Sequence, residues 1–128
     1  MSSRDIRRKY AQNYLKDPAV LFEMANCIKP KEADSFLEIG PGRGALTNQI
    51  NKLDISIICV DIDSSNIDFM IDKFQGPANF KFINQDILSF ELPIIDSKLR
   101  IVGNLPYNIS TQIMIKFIDD FEKIEDMH

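Results

Sequence analysis

The stretch Ile55-Ser56-Ile57-Ile58-Cys59-Val60-Asp61-Ile62 is apolar almost throughout and runs out into acids at Asp61 and Asp63. A strand with one wet face alternates apolar and polar residues. A continuous run rich in β-branched side chains is suited to burial on both faces. Parallel sheets bury both faces, because the helices that connect their strands lie on either side. One run of eight residues therefore predicts a layered α/β fold and requires strand–helix alternation elsewhere.

The remaining segments supply it. Asp17-Pro18 reads as an N-cap followed by proline at the first helical position, and Val20, Leu21, Met24, Ala25 and Ile28 follow at helical spacing. Lys29-Pro30 ends that helix. Ser35 to Ile39 is a short strand that runs into Gly40-Pro41-Gly42-Arg43-Gly44, after which Ala45, Leu46, Gln49, Ile50 and Leu53 resume a helical period. Asp63 to Phe74 carries Ile67, Met70, Ile71 and Phe74 on one face, and Gln75-Gly76-Pro77 breaks it. Asn79 to Gln85 reads as a third strand ending at Asp86, and Leu99 to Leu105 as a fourth. Ile109, Ile113, Phe117, Ile118, Phe121 and Ile124 mark a last helix. This alternation predicts an open parallel sheet with right-handed crossovers.

With 128 residues the chain is one domain at most, and 45% hydrophobic with 27% charged residues suits a globular protein. No apolar stretch has the length of a membrane helix, and Met1 to Lys9 lacks the apolar segment of a secretion signal. Cys59 sits inside an apolar strand and Cys27 is its only fellow, so a buried reduced thiol and a cytoplasmic location are expected. Residues 1–16 hold five basic side chains against one acid. The other 112 hold ten basic and eighteen acidic, for a net charge of −4. From charge alone, a solvated terminus explains the basic arm as well as a phosphate contact does.

In open parallel sheets ligands bind beyond the carboxyl ends of the strands. The glycine cluster, Asp61, Asp86 and Asn104 all fall there. Glu38-Ile39-Gly40-Pro41-Gly42-Arg43-Gly44-Ala45 fits two patterns. Read as G-x-G-x-x-A it is a dinucleotide fingerprint, with amides facing a pyrophosphate. Read as acid-x-G-x-G-x-G it is an S-adenosylmethionine loop. Asp61, some 20 residues on, suits ribose hydroxyls in either case. Asp86 shifts the balance, since an acid at the third strand end suits an adenine amino group, although it also serves as a turn cap.

Asn104-Leu105-Pro106-Tyr107 closes the fourth strand. An exocyclic purine amine is a poor nucleophile because its lone pair is delocalised into the ring. Acceptors around its two hydrogens favour the pyramidal form and stabilise the positive charge that grows during attack. The Asn104 carboxamide and the Leu105 carbonyl can accept, Pro106 restrains the backbone, and Tyr107 offers a face for an extruded base. Positioning and electrostatics then supply the rate without a metal or an activated nucleophile.

These residues carry a resemblance. Lys9 to Leu15, Phe36 to Thr47, Asn84-Gln85-Asp86 and Asn104 to Thr111 resemble, in order, the blocks of the ribosomal RNA adenine dimethyltransferase family. Asn-Leu-Pro-Tyr-Asn-Ile-Ser-Thr is closer to the small-subunit enzymes than to the macrolide-resistance branch acting on large-subunit RNA. The resemblance implies a Rossmann-like fold and N6,N6-dimethylation of adenines in small-subunit ribosomal RNA or its pre-30S particle. It implies S-adenosylmethionine contacts at Gln12, Asn13, Leu15, Glu38, Gly40, Gly42, Asp61, Ile62, Asp86, Ile87 and Asn104. The catalytic block is Asn104, Leu105, Pro106 and Tyr107; Arg7, Arg8 and Lys9 face RNA, and no metal is required.

There are departures. Asp61 stands where Glu is commoner, and Tyr10-Ala11 replaces Phe-Gly. Family members also continue past Asp126-Met127-His128 into further strands and a helical C-terminal domain. The chain is therefore expected to be an N-terminal piece: a basic arm over 1–16 and a partial core over 17–128, truncated after the fourth strand and its helix. In the expected strand order 3-2-1-4 the fourth strand becomes an exposed edge, which predicts self-association through it and no dimethylation by the piece alone. An NAD-dependent oxidoreductase, a large-subunit RNA methylase and a non-catalytic RNA-binding assembly factor are the competing readings.

Overall fold

The structure is a computed structural model that describes residues 18–51, 54–75, 79–103, 105 and 107–128. The proposed N-cap Asp17 and the site residues Arg7, Arg8, Lys9, Gln12, Asn13, Leu15, Asn104 and Pro106 lie outside the described residues, as does the side chain of Tyr107. Helix α1 (Pro18–Ile28) precedes β1 (Ser35–Ile39), α2 (Ala45–Ile50), β2 (Ser56–Asp61), α3 (Ser64–Lys73) and β3 (Phe80–Asn84). A 3-10 turn (Ile87–Ser89), β4 (Leu99–Gly103), α4 (Tyr107–Lys116), a second 3-10 segment (Ile118–Lys123) and β5 (Ile124–Met127) follow. The sheet order is β3-β2-β1-β4-β5, with every adjacent pair parallel.

Alternation along each strand sorts the core into two layers. Phe36, Ile57, Cys59, Phe80 and Val102 meet Leu21 and Ile28 of α1, Leu46 and Ile50 of α2, and Met70 and Phe74 at α3. Leu37, Ile39, Val60 and Ile101 meet Ile113 of α4 and Phe117 on the opposite face, together with Ile87, Phe90 and Leu92. Cys59 is fully buried and reduced, as its apolar run predicts. Gly44 opens α2 in the left-handed region at φ +83, and a Cβ there would sit 2.7 Å from Met70 Sδ. The turn can only lie this close to α3 because that atom is missing.

Two expectations are overturned together. The last helix does not reach Ile124. It ends at Lys116, and the buried stripe ends with Phe117, since Ile118 and Phe121 are exposed. Ile124 instead opens a fifth strand, so β4 is covered on both sides and the sheet is not truncated after it. The exposed fourth strand, which was the physical basis for self-association, does not exist. Its cover is built on charge. Arg100 of β4 lies opposite Asp126 of β5. Its Nε donates to Asp126 Oδ1 at 3.0 Å and its Nη2 to Oδ2 at 2.9 Å. Nη1 reaches Asp34 Oδ2 at 2.8 Å and the Lys29 carbonyl at 3.1 Å, while Nη2 also donates to the Ile28 carbonyl. One buried guanidinium thus ties the end of α1, the approach to β1, β4 and β5 into one corner. Glu125 is bulged out between Leu99 and Arg100, a device that turns Asp126 onto the arginine.

Candidate active site

The carboxyl ends of β1, β2 and β3 are locked to one another beyond the regular ladders. Gly40 N–H donates to the Val60 carbonyl at 2.8 Å, and Gln85 N–H to the Asp61 carbonyl at 3.0 Å. The Asn84 carboxamide donates to the carbonyls of Asp61 (3.0 Å) and Ile62 (3.1 Å). On the other side, Gly103 lets β4 pass β1 closely, since a Cβ would lie 2.9 Å from the Ile39 carbonyl oxygen. That close pass brings Leu105 over the glycine turn, with Cδ2 3.2 Å from where a Cβ on Gly40 would be.

Between these ends lies an open crevice of about 260 Å³. Ligand pockets for drug-sized molecules run roughly 300–1,000 Å³, so this one takes a nucleoside-sized portion of a ligand. Ile62, Ile87, Leu88, Leu105 and Ile109 give it aliphatic walls, and Gly40, Asp61, Asp86, Gln85 and Gln112 line it as well. The fold therefore brings together Gly40, Asp61, Ile62, Asp86, Ile87 and Leu105 of the residues expected from sequence. Gln85, Leu88, Ile109 and Gln112 were not anticipated. Ile109 falls in the Asn104–Thr111 block and at a core position of the last helix, and its place near the start of a helix after the fourth strand is the available signal.

Asp61 is 7% exposed and heavily used. Its Oδ1 accepts from Asp63 N–H at 2.9 Å. Its Oδ2 accepts from Gly42 N–H and from the Asn66 carboxamide, both at 3.2 Å. A carboxylate has about four lone-pair sites, so after its bonds to the described residues one acceptor site remains for a ligand hydroxyl. Asp86 is a turn cap, as one of its two readings expects, and it also lines the crevice. Oδ1 caps the 3-10 turn by accepting Leu88 N–H at 3.0 Å, while the exposed carboxylate faces the crevice.

Glu38 is placed differently from the crevice group. It is 2% exposed and accepts a hydrogen bond from the Thr47 hydroxyl of α2, itself fully buried. Burial pushes its carboxyl up from the ordinary 4.5 to about 7; the Thr47 bond opposes this and the Asp61 charge adds to it. Burial, with the Glu38 and Asp61 charges behind it, also pushes the Cys59 thiol up, so that sulfur is held neutral. Arg43, the cation of the glycine turn, lies over the Phe69 ring at 4.7 Å and is not part of the crevice lining. Among the described residues no cluster of His, Cys, Asp and Glu has metal-ligand geometry, and no helix is long and apolar enough to cross a membrane.

A parallel β3-β2-β1-β4-β5 sheet with a glycine turn after β1 and acids closing β2 and β3 defines a Rossmann-like nucleoside-binding domain. The comparisons with known proteins narrow the class. Residues 3–128 match the family described as Ribosomal RNA adenine dimethylase, and the chain belongs to that family. It is 41% identical over 125 residues to the Ribosomal RNA small subunit methyltransferase A of Wigglesworthia glossinidia brevipalpis, covering 94% of this chain and 48% of that protein. The protein of the same name from Marinobacter nauticus is 39% identical over 124 residues, covering 95% and 45%. The chain thus spans about half the length of the curated relatives it matches. Among solved structures it resembles a dimethyladenosine transferase from Plasmodium falciparum, with TM-score 0.69, 31% identity and coverage of 81% and 38%. It also resembles the 23S rRNA methyltransferase ErmE, with TM-score 0.73, 25% identity and coverage of 87% and 45%.

Proposed function

We propose that this chain is the cofactor-holding part of an S-adenosylmethionine-dependent enzyme that dimethylates adenine N6 in small-subunit ribosomal RNA. The observation that carries this reading is the bond from Gly42 N–H to the Asp61 carboxylate. In a dinucleotide site the amides of that turn are free to receive a pyrophosphate. Here one is already given to an anion, Asp86 adds a second carboxylate to the crevice, and Arg43 is turned away. The field repels a pyrophosphate and suits a nucleoside that carries net positive charge.

The crevice fits such a group. Aliphatic walls at Ile62, Ile87 and Leu88 sandwich a purine, Asp86 accepts from its amino group, and the remaining Asp61 acceptor takes a ribose hydroxyl. When bound, the cofactor supplies an electrophilic methyl group. Asn104 and the Leu105 carbonyl accept the two hydrogens of the target amine, Pro106 fixes that carbonyl, and Tyr107 stacks on the base. The amine lone pair would form the new N–C bond as the methyl–sulfur bond breaks, the sulfonium leaving as a neutral thioether and the amine proton passing to water. Gln12, Asn13 and Leu15 cover the cofactor, and Arg7, Arg8 and Lys9 meet RNA phosphates. The setting is the cytoplasm, on a small-subunit precursor particle.

The likeness to ErmE favours a second reading, methylation of large-subunit RNA, while the relatives at 39–41% identity are named for the small subunit. Mass spectrometry of both ribosomal RNAs after incubation with the protein and S-adenosylmethionine decides between them. Dimethyladenosine in the small-subunit RNA is the expected result. Its appearance only in large-subunit RNA moves the function to the second reading, and none in either refutes methylation.

A further inference from the structure

Glu38 has no part in the proposed chemistry, yet its position is unusual. It precedes the glycine turn on β1, faces the α2 side of the sheet with Phe36 and Val102, and holds Thr47 one turn into α2. The turn Gly40–Gly44 is therefore pinned twice by acids: at its base by the Glu38–Thr47 bond and at its middle by Asp61 on Gly42 N–H. The groups packed on Glu38 do not neutralise it. Thr47 of α2 is a neutral donor. Cys59, its register partner on β2, is a neutral thiol, and Asp61 on the same strand is an anion. On β4 its register partner is Val102, and the one buried cation nearby, Arg100, is committed to Asp34 and Asp126. A buried acid beside a second acid, with no cation of its own among the described residues, holds its proton unless positive charge arrives from outside.

We propose that Glu38 is a positioning residue whose loss of a proton is coupled to the arrival of a positively charged nucleoside in the crevice above it. The inference rests on the cofactor reading given above and says how that site is regulated. In the ligand-free chain the carboxyl is neutral through the mildly acidic range, since burial holds it up to about 7. A cation against the glycine turn favours the carboxylate. Binding then expels a proton, affinity rises as the medium goes from pH 6 towards 7, and it levels off above. The ionised carboxylate accepts the Thr47 hydrogen more strongly, so the turn is tightest when the ligand is present.

Two measurements on the 128-residue chain test this. The first needs no ligand: unfolding midpoints of wild type and Glu38→Gln between pH 5 and 8. Wild type should lose stability relative to the variant as pH rises; parallel profiles overturn the inference and leave the cofactor reading standing. The second is calorimetry with S-adenosylmethionine at pH 6 and 8, in buffers of different ionisation enthalpy. Wild type should bind several-fold more tightly at pH 8 and release protons near pH 6.5, a shift of one pKa unit being about tenfold. Glu38→Gln should match wild type at pH 6 and lose the rise. Thr47→Ser should keep the rise and Thr47→Val displace it upward, because the hydroxyl opposes the raised pKa. A rise that survives in Glu38→Gln refutes the coupling. A wild-type chain that takes up no S-adenosylmethionine at any pH overturns the cofactor reading and this inference with it.

Discussion

Among the described residues Arg100, Glu38 and Asp61 are buried ionisable groups, and the first two are built on opposite terms. At the corner of α1, β4 and β5, Arg100 meets two carboxylates and two backbone carbonyls. Under the glycine turn, Glu38 meets, among the described residues, only a hydroxyl, with the Asp61 charge nearby. The first is saturated and lies away from the crevice. The second is underpaired and lies beneath it. A saturated ion cluster fixes a strand in place, whereas an underpaired acid remains responsive, so burial of charge serves assembly at one site and ligand response at the other.

The largest expected effect comes from breaking the saturated centre. Arg100→Met removes the guanidinium from Asp34 and Asp126, leaving Asp126 only its His128 contact at 3.1 Å, and strips two carbonyls. A loss of about 3–5 kcal/mol is expected in denaturant unfolding. A loss under about 1 kcal/mol would mean the corner is not a keystone. Replacing all three side chains with apolar residues of similar volume should recover at least half of that loss, because the cost lies in the orphaned charges. Next in size is the crevice: Asp86→Ala should weaken S-adenosylmethionine binding about tenfold, or about 1.4 kcal/mol, in calorimetry. Equal affinities would take Asp86 out of the site and leave it a turn cap.

The smallest effect is the sharpest comparison. The Arg100 bonds hold Asp126 below the usual carboxylate range. A lowered acid contributes stability above its unfolded pKa and loses it as pH falls through the folded value. Glu38 is raised, so its contribution is full below about 4.5 and is lost as pH climbs towards 7. Thermal midpoints from pH 2 to 9 should fall at both ends. Arg100→Met should flatten the acid limb only, and Glu38→Gln the neutral limb only. Either variant altering both limbs would show that the two centres are coupled.

Most of the fold was legible because buried strands and amphipathic helices have different periods, and Ile55 to Ile62 already required parallel neighbours. The β5 error has a physical cause. Ile124 lies seven residues after Phe117, where a helix would also place an apolar residue, and Glu125-Asp126 reads as a solvated end. The strand forms because Asp126 has a cationic partner in Arg100, a pairing that no local pattern shows. Arg100 was passed over for the matching reason, one charge within an apolar run. At the site, strand-end acids and glycines were readable because topology sends them to one crevice. The bond from Gly42 to Asp61 was not, since it depends on how two strand ends lie side by side. Neither was the inward turn of Glu38, which a glycine-loop pattern treats as part of the ligand shell.

Ile62 stands 72% exposed at the rim, with its carbonyl held by Asn84. An aliphatic wall kept in water before any ligand arrives already carries an ordered hydration layer. A purine laid against it releases that layer to bulk solvent. Binding should therefore carry a negative heat-capacity change, so the enthalpy of occupying the crevice grows more favourable with temperature.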